Sequence, residues 1–222
     1  MPRISRAIAV GYPHHITQRG NYQQTVFAEA EDYAQYLDLL VQYAPQCDLQ
    51  IWAYCLMPNH VHLVGVPQRQ DSLARTLHVV HMQYARYFNG KMNTVGHLWQ
   101  GRFFSCALDE RHLYAAIRYV EQNPIRAGIV SAPDDYSWSS AKGHITGKKD
   151  PVLSDGCFLT ETVTEWRRYL GMEQDSEAEN AVIKATQNGR PCGDKGFIKC
   201  VELSLDRKLM PQHRGRPTTS EK

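Results

Sequence analysis

Hydrophobic and polar positions along the first 126 residues alternate between short β-favouring runs and longer segments with helical spacing. The runs 49–56 and 60–66 are separated only by Met57-Pro58-Asn59, a turn-forming triplet, which predicts a hairpin. Arg19-Gly20-Asn21 marks the end of an earlier strand. The predicted strands are 12–18, 49–56, 60–66 and 102–108.

Three segments carry apolar residues at helical spacing, and each has a start or stop signal. Pro45 is expected to end the first helix. Ser72 can cap the start of the second helix, and Asn89-Gly90 is expected to end it. Asp109 can cap the third, and Pro124 is expected to stop it. The predicted helices are 31–44, 72–88 and 110–122.

The resulting order, β-α-β-β-α-β followed by a helix, matches the ferredoxin-like or split βαβ arrangement. We therefore predict an α+β fold: an antiparallel sheet with helices on one face and the 60–66 strand in its centre. A change in composition predicts a boundary near residue 150. Residues 151–222 would form a small helical extension: a helical part over 154–171, an acidic link over 172–179, a helix over 195–209, and a basic tail.

Composition sets broad limits. A chain of 222 residues with 42% hydrophobic content can bury a full core, and a net charge of +2 neither demands nor excludes a nucleic-acid partner. No run of 18 apolar residues or signal-peptide pattern appears, so we expect a cytoplasmic protein without membrane contact. The six scattered cysteines form no Cys-x-x-Cys pair and are expected to be reduced and mostly buried.

His60-Val61-His62 lies within the predicted central strand. Alternate side chains of a strand share a face, so the two imidazoles point the same way and can chelate one cation. The alternative is that both are ordinary core or edge histidines. The triplet alone does not separate these interpretations.

A second pair, Tyr119 and Asn123, lies one turn apart in the third predicted helix. Tyr119 falls at the edge of the apolar stripe, and Tyr114 falls on the opposite flank, away from Asn123. Alone, the pair could be an amphipathic residue and a helix terminator before Pro124. Together with the two histidines, it supplies a phenol and an amide oxygen, the parts of a metal-assisted nucleophilic site.

With these motifs the chain resembles the single-tyrosine HUH transposases, in which HUH denotes His, hydrophobic, His, and in particular the REP-associated tyrosine transposases and their insertion-sequence relatives. A rival interpretation, a histidine-triad hydrolase, fails because that signature requires a third histidine at the position of Val64. The resemblance rests on Tyr12, 14–21, 56–62, 98–103, 119–128 and 136–140.

The resemblance implies that His60, His62 and Asn123 are metal ligands and that Tyr119 is the nucleophile. It implies cleavage and rejoining of single-stranded DNA through a 5′-phosphotyrosine, at hairpin-bearing or REP-like palindromic sequences. Mg²⁺ or Mn²⁺ fits such a nitrogen and oxygen site better than zinc does. The protein would be cytoplasmic and nucleoid-associated, and either a monomer or a homodimer is compatible with the family.

Arginines and aromatic residues near glycine are the candidates for DNA contacts, since cations follow the backbone and rings stack on bases. They are Arg19, Trp99 and Arg102. Arg214 and Arg216 in the tail resemble an AT-hook core, although a disordered basic end has the same composition.

Two questions remain open at the level of sequence. Arg118 and His112 are the sequence-near groups that could activate the phenol, but solvated surface positions are the simpler expectation for both. The alternative function is a domesticated protein that keeps the fold and binds hairpin DNA without cutting it.

Overall fold

In a computed structural model, which describes residues 6–172 and 175–210, a four-stranded antiparallel sheet lies between layers of helices. The strands have the order β2-β3-β1-β4, which is that of a ferredoxin-like sheet and confirms the predicted fold class. The strands are β1 (His14–Arg19), β2 (Leu49–Met57), β3 (His60–Pro67) and β4 (Phe104–Ala107). The helices are α1 (Ala30–Gln46), α2 (Ser72–Lys91), α3 (Glu110–Arg126), α4 (Ala141–Thr146), α5 (Leu159–Thr162), α6 (Trp166–Gly171), α7 (Ser176–Asn188) and α8 (Lys195–Ser204).

Strands β1 and β3 form the centre of the sheet, as predicted for the His60 strand. Their antiparallel register places Arg19 opposite His60 and Thr17 opposite His62. β4 begins at Phe104, later than predicted, because the preceding residues bond to the end of β1 in a loop instead of a ladder. There the Gln100 amide donates to the Arg19 carbonyl at 2.9 Å.

The alternation along β3 decides which side chains meet which helices. Val61 and Leu63 pack beneath the two crossover helices α1 and α2. Val64 and Val66 point to the opposite face, which is covered by α3 and α7. The crossover helices therefore share one face, as predicted, but α3 and α7 cover the other, so helices lie on both faces of the sheet and not on one alone. His60 and His62 belong to this second face.

The predicted ends of the first two helices are wrong. α1 continues through Pro45 to Gln46, because a proline in the last turn removes only one backbone donor. α2 continues through Asn89-Gly90 to Lys91, whose ammonium group bonds to Asp32 at 2.8 Å and so ties the last turn to the start of α1. Ser72, the predicted cap, is instead the first residue of α2, and Asp71 occupies the N-cap position.

α3 begins as predicted, with the Asp109 side chain accepting a hydrogen bond from the His112 amide. It does not stop at Pro124 but continues to Arg126, and the Ala127 amide donates to the Asn123 carbonyl at 3.0 Å. Helical bonding on both sides of Pro124 compensates for its missing N–H. The extension adds Arg126 to the face that carries Tyr119 and Asn123.

The C-terminal part is helical, as predicted, but its elements differ. α7 begins at Ser176 within the predicted acidic link, because the Asp175 side chain caps it by accepting from the Ala178 amide. α8 ends at Ser204 rather than at residue 209. α7 packs against β4, β1 and α3. The predicted DNA contacts Arg214 and Arg216 lie outside the described residues.

Within the described ranges, no helix is both long and apolar enough to cross a membrane. The six cysteines are free thiols, and all except Cys200 are buried. The cysteine prediction is thus confirmed.

Candidate active site

The Tyr119 ring lies against one histidine of β3, His62, and one of β1, His15. Its centroid is 5.4 Å from that of His62 and 5.9 Å from that of His15, with both contacts nearly perpendicular. Helix α3 crosses this face of the sheet, so a residue at the edge of its apolar stripe reaches the imidazoles while remaining partly exposed. Tyr114 packs elsewhere, against Tyr169. The fold thus unites the phenol and the histidines, which are 57 residues or more apart in the sequence.

The imidazoles of His60 and His62 lie side by side on one face of β3, with ring centroids 4.8 Å apart. His60 Nδ1 is 2.6 Å from Asn59 Oδ1. An amide oxygen can only accept, so Nδ1 of His60 carries the hydrogen and Nε2 keeps its lone pair. The Asn59 amide nitrogen donates to the Gln23 carbonyl at 3.3 Å, which is consistent with this orientation.

His62 is held by a third imidazole. Its Nδ1 lies 3.0 Å from Nε2 of His15, whose own Nδ1 lies 2.8 Å from the Thr186 hydroxyl oxygen on α7. His15 and Thr186 were not among the predicted site residues. His15 could have been suspected because it lies in residues 14–21, one of the segments that carry the family resemblance. Nothing in the sequence indicates Thr186.

Burial keeps these histidines neutral. It lowers the pKa of His15 to about 4 and that of His60 to about 4, with a smaller contribution from Arg19 for His60. Burial, with the neighbouring His15 and His60, lowers the pKa of His62 well below its ordinary value. Neutral imidazole is the form that binds a metal ion.

Among the described residues, no group of three or more His, Cys, Asp or Glu side chains could hold a metal ion. A cation here would therefore have two imidazole ligands and need oxygen donors from other groups, a set that suits Mg²⁺ or Mn²⁺ with open coordination positions. The Nε2 lone pair of His60, which the bond to Asn59 leaves unused, fits this requirement. The two-histidine set matches a site completed by an amide, by water or by a substrate phosphate.

Asn123 lies one turn beyond Tyr119 on α3. Its amide nitrogen donates to the Tyr119 carbonyl at 2.8 Å, which leaves the amide oxygen as the remaining acceptor. Burial raises the pKa of the Tyr119 phenol, and a hydrogen bond from the Asn123 side chain opposes part of that rise. The predicted pair is thus in contact.

Burial raises the pKa of the Tyr119 phenol, and the positive charges of Arg126 and Arg19 oppose that rise. The Arg126 guanidinium lies 5.0 Å from the centre of the Tyr119 ring. Sequence reasoning missed Arg126 because it ended the helix at Pro124, although residues seven apart share a helical face. Arg118 and His112, the two groups considered there, contact Tyr169 and Asp109 instead.

The predicted DNA-contact segments lie next to each other and next to His60. Gly20 pairs with Trp99, and the Gln18 amide donates to the Gly101 carbonyl at 3.1 Å. Arg19 and Arg102 are exposed. Trp99 is half-buried, and its indole N–H donates to the His81 carbonyl at 3.1 Å, so its ring is part of an aromatic cluster. Arg19 thus offers an exposed cation opposite His60, whereas the exposed Arg102 lines a cleft with His78 and His81 of α2.

The sequence profile of the family described as "Transposase IS200 like" matches residues 10–123. This chain belongs to that family. The matched segment contains β1 to β4, both crossover helices and α3 up to Asn123, and therefore the histidine pair and Tyr119. Arg126 and Thr186 lie beyond it.

Two known proteins are similar to this member of the IS200-like transposase family. A protein of Haemophilus influenzae (strain ATCC 51907 / DSM 11121 / KW20 / Rd), named as a REP-associated tyrosine transposase, is 26% identical over 99 residues, 40% of this chain. The match spans about half of that relative, 56% of its length. A solved structure of a REP-associated tyrosine transposase bound to a REP hairpin superposes with a TM-score of 0.54 at 16% identity, covering 70% of this chain and 93% of the other. This second likeness concerns the fold alone.

Proposed function

We propose that this protein is a metal-dependent, single-stranded DNA endonuclease and transposase that cuts and rejoins DNA through a covalent bond to Tyr119. Family membership makes DNA strand transfer the expected class of reaction. The observation that carries the assignment of residues is the contact between the Tyr119 ring and His62, 5.4 Å between centroids. It brings the candidate nucleophile to His62, one of the two candidate imidazole ligands.

His60, His62 and Asn123 would hold the cation. A bound Mg²⁺ or Mn²⁺ would act as a Lewis acid and orient the scissile phosphate. The protein's own contribution is to hold His60 with Nε2 free, through the bond to Asn59, and to keep the ring of Tyr119 beside the histidines. The open positions of a two-imidazole site leave room for a phosphate oxygen.

The reaction is an exchange of phosphate esters. The Tyr119 oxygen loses its proton and forms a bond to phosphorus while the bond from phosphorus to the 3′ oxygen breaks, and that oxygen takes up a proton. The products are a 5′-phosphotyrosine and a free 3′-hydroxyl. Because the ester bond is conserved, a 3′-hydroxyl of another strand can reverse the step without ATP. Burial raises the pKa of Tyr119, and the charges of Arg126 and Arg19 oppose that rise and so favour the phenolate.

The DNA substrate is proposed to carry a hairpin or palindromic repeat. The similar solved structure is one bound to a REP hairpin, and Arg19 and Arg102 here offer exposed cations, of which Arg19 lies opposite His60. A single strand emerging from the foot of a hairpin could follow these cations to Tyr119. The alternative function, hairpin binding without cleavage, makes the same contacts but no covalent product.

Covalent capture tests the proposal. The purified protein would be incubated with a pool of single-stranded DNA hairpins with randomised flanking nucleotides, with Mn²⁺, with Mg²⁺ or with a chelator. We expect a denaturant-resistant adduct with either metal and none with the chelator, and mass spectrometry should locate the nucleotide on Tyr119.

Tyr119→Phe should abolish the adduct. Tyr114→Phe is the matched control, because Tyr114 lies on the opposite flank of the same helix and packs on Tyr169. An adduct that survives Tyr119→Phe would refute the assignment of the nucleophile. Retention of hairpin DNA without any adduct would support the non-cleaving alternative.

A further inference from the structure

A buried chain of hydrogen bonds runs from helix α7 to His62. The Thr186 hydroxyl oxygen is 2.8 Å from Nδ1 of His15, and Nε2 of His15 is 3.0 Å from Nδ1 of His62. The three residues are 1%, 2% and 5% exposed, so water does not compete for these bonds. Thr186 lies 63 residues beyond the last position matched by the family profile. A part of the chain outside the family's matched segment therefore reaches a candidate ligand.

Which atom donates in each of these hydrogen bonds follows from the Thr186 hydroxyl, which has a single hydrogen. Its oxygen lies 2.7 Å from the carbonyl oxygen of Val182. Two oxygens at this distance require a hydrogen between them, and the carbonyl has none, so the hydroxyl hydrogen points to Val182. Toward His15 the hydroxyl oxygen can then only accept, and Nδ1 of His15 must carry a hydrogen.

The remaining hydrogens are then determined. A neutral imidazole has one N–H, so Nε2 of His15 is a lone pair that accepts from Nδ1–H of His62. Nε2 of His62 is left without a hydrogen. Cys106 is compatible with this order, because its sulfur lies 3.1 Å from the Thr186 oxygen, and the thiol hydrogen can bond to the second lone pair there.

We propose that His15 and Thr186 are positioning residues that hold His62 in the tautomer whose Nε2 lone pair is open to a metal ion. This inference rests on the proposed function for the identity of His62 as a ligand. With the opposite order of hydrogens, Nε2 of His62 would carry a hydrogen and could not bind a cation. Asn59 fixes the same tautomer of His60 by a separate bond. Both imidazoles thus present the same nitrogen.

The arrangement resembles the outer-shell hydrogen bonds that fix metal-binding histidines in general, whose loss typically lowers metal affinity about 10- to 100-fold. Here a neutral histidine replaces the usual carboxylate or backbone carbonyl, and a threonine decides its tautomer. α7 therefore has a role in the site as well as in the core.

The first test is a direct measurement of tautomers in the metal-free protein. Nitrogen-15 NMR of histidine side chains distinguishes an N–H from a bare ring nitrogen, and His15→Gln and His62→Gln identify the signals. We expect a bare Nε2 and a protonated Nδ1 on both His15 and His62. A hydrogen on Nε2 of His62 in the unaltered protein would overturn the proposal. This measurement needs neither DNA nor a metal.

The second test is Mn²⁺ binding followed by electron paramagnetic resonance. Thr186→Val keeps the shape of the side chain but removes the hydroxyl. We expect the affinity for Mn²⁺ to fall about 10- to 100-fold. In the nitrogen-15 spectrum, His62 should change from the single Nδ1–H tautomer to a mixture of both tautomers. Thr186→Ser should restore both. Thr146→Val is the control, because Thr146 makes the same type of bond to a carbonyl one turn back, that of Lys142, at an exposed position of α4.

The two proposals fail in different ways. If Thr186→Val leaves both the His62 tautomer and the Mn²⁺ affinity unchanged, the positioning role of Thr186 is refuted, even if the protein cuts DNA. Absence of Mn²⁺ binding to the unaltered protein, with a bare Nε2 on His62, would contradict the proposed metal dependence and support the tautomer assignment. Thermal unfolding of each variant shows that the comparison concerns folded protein.

Discussion

The guanidinium of Arg126 lies over the ring of Tyr119, 5.0 Å from its centre, and bonds at the same time to Glu179 at 2.5 Å. Arg126 comes from the last turn of α3, and Glu179 comes from α7. Burial raises the pKa of the phenol, Arg126 opposes that rise, and Glu179 adds to it. The cation beside the candidate nucleophile is thus held in place by the C-terminal part of the chain.

Arg126→Ala should slow formation of the Tyr119 adduct. Without the cation the pKa of the phenol rises further, and each unit of pKa lowers the phenolate fraction about tenfold at a fixed pH. We expect the rate to fall about tenfold near neutral pH and its pH profile to move to higher pH. Arg126→Lys should retain part of the effect.

The control for Arg126 is Arg118→Ala, in the same helix, where the guanidinium lies over Tyr169 instead. It should leave the pH profile in place. A profile that is identical in Arg126→Ala and the unaltered protein would show that this charge does not act on the phenol.

Arg19→Ala and Arg102→Ala should weaken binding of single-stranded hairpin DNA. Each exposed cation that contacts a phosphate releases counterions, so each change should reduce the salt dependence of binding by about 0.7 to 1 in slope. Arg168→Ala is the control, because Arg168 is exposed on α6 and pairs with Glu165. Fluorescence anisotropy over a range of salt concentrations measures both quantities, and equal slopes for all variants would contradict the assignment.

Trp99→Ala should act differently from the two arginine variants. The indole packs in an aromatic cluster and bonds to the His81 carbonyl, so its loss should lower thermal stability before it changes DNA affinity. Truncation of a large aromatic residue in a core costs about 3–5 kcal/mol, and a half-buried ring should cost less. A loss of DNA affinity without a loss of stability would indicate direct stacking on a base.

Asp32 should make stability depend on pH in the acidic range. Its buried carboxylate accepts bonds from Lys91, Tyr87 and the Glu29 amide. Burial alone would raise the pKa of Asp32, but these bonds leave it below its ordinary value. A lowered pKa means that the stabilisation is complete above the unfolded-state pKa, about 3.9, and is lost as pH falls through the folded-state pKa.

Asp32→Asn should therefore lower the free energy of unfolding by about 1–3 kcal/mol at neutral pH and flatten its decline in acid. Glu31→Gln, on the exposed side of the same turn, is the control. Urea unfolding at several pH values measures the difference. A parallel decline in Asp32→Asn and unaltered protein would contradict this origin of the pH dependence.

The predicted boundary near residue 150 and the packing of α7 lead to opposite expectations for a chain ending at that residue. α7 lies against β4, β1 and α3, and Val182 is fully buried among them. Exposing such a side chain costs about 1.5–3 kcal/mol, and several are exposed together. We expect the shortened chain to unfold at a lower temperature than the full chain or to aggregate. A shortened chain of equal thermal stability would support an independent domain.

The sequence determined the elements and the identity of the chemical groups. The spacing of His60 and His62 within a strand, and of Tyr119 and Asn123 within a helix, depends only on local geometry, so periodicity was enough to pair them. The order of strands and helices likewise predicted the ferredoxin-like sheet. Helix ends were less accurate, because contacts such as that of Lys91 with Asp32 are made by residues distant in the sequence.

Only the tertiary structure decided what surrounds these groups. His15 and Thr186 are 171 residues apart, and no local pattern relates a strand histidine to a threonine on a distant helix. The same holds for Arg126 and Glu179, which meet because α7 packs against α3. Which nitrogen of His62 carries its hydrogen, and which cation faces Tyr119, depends on how the layers pack, because hydrogen bonds and charges act through space rather than along the chain.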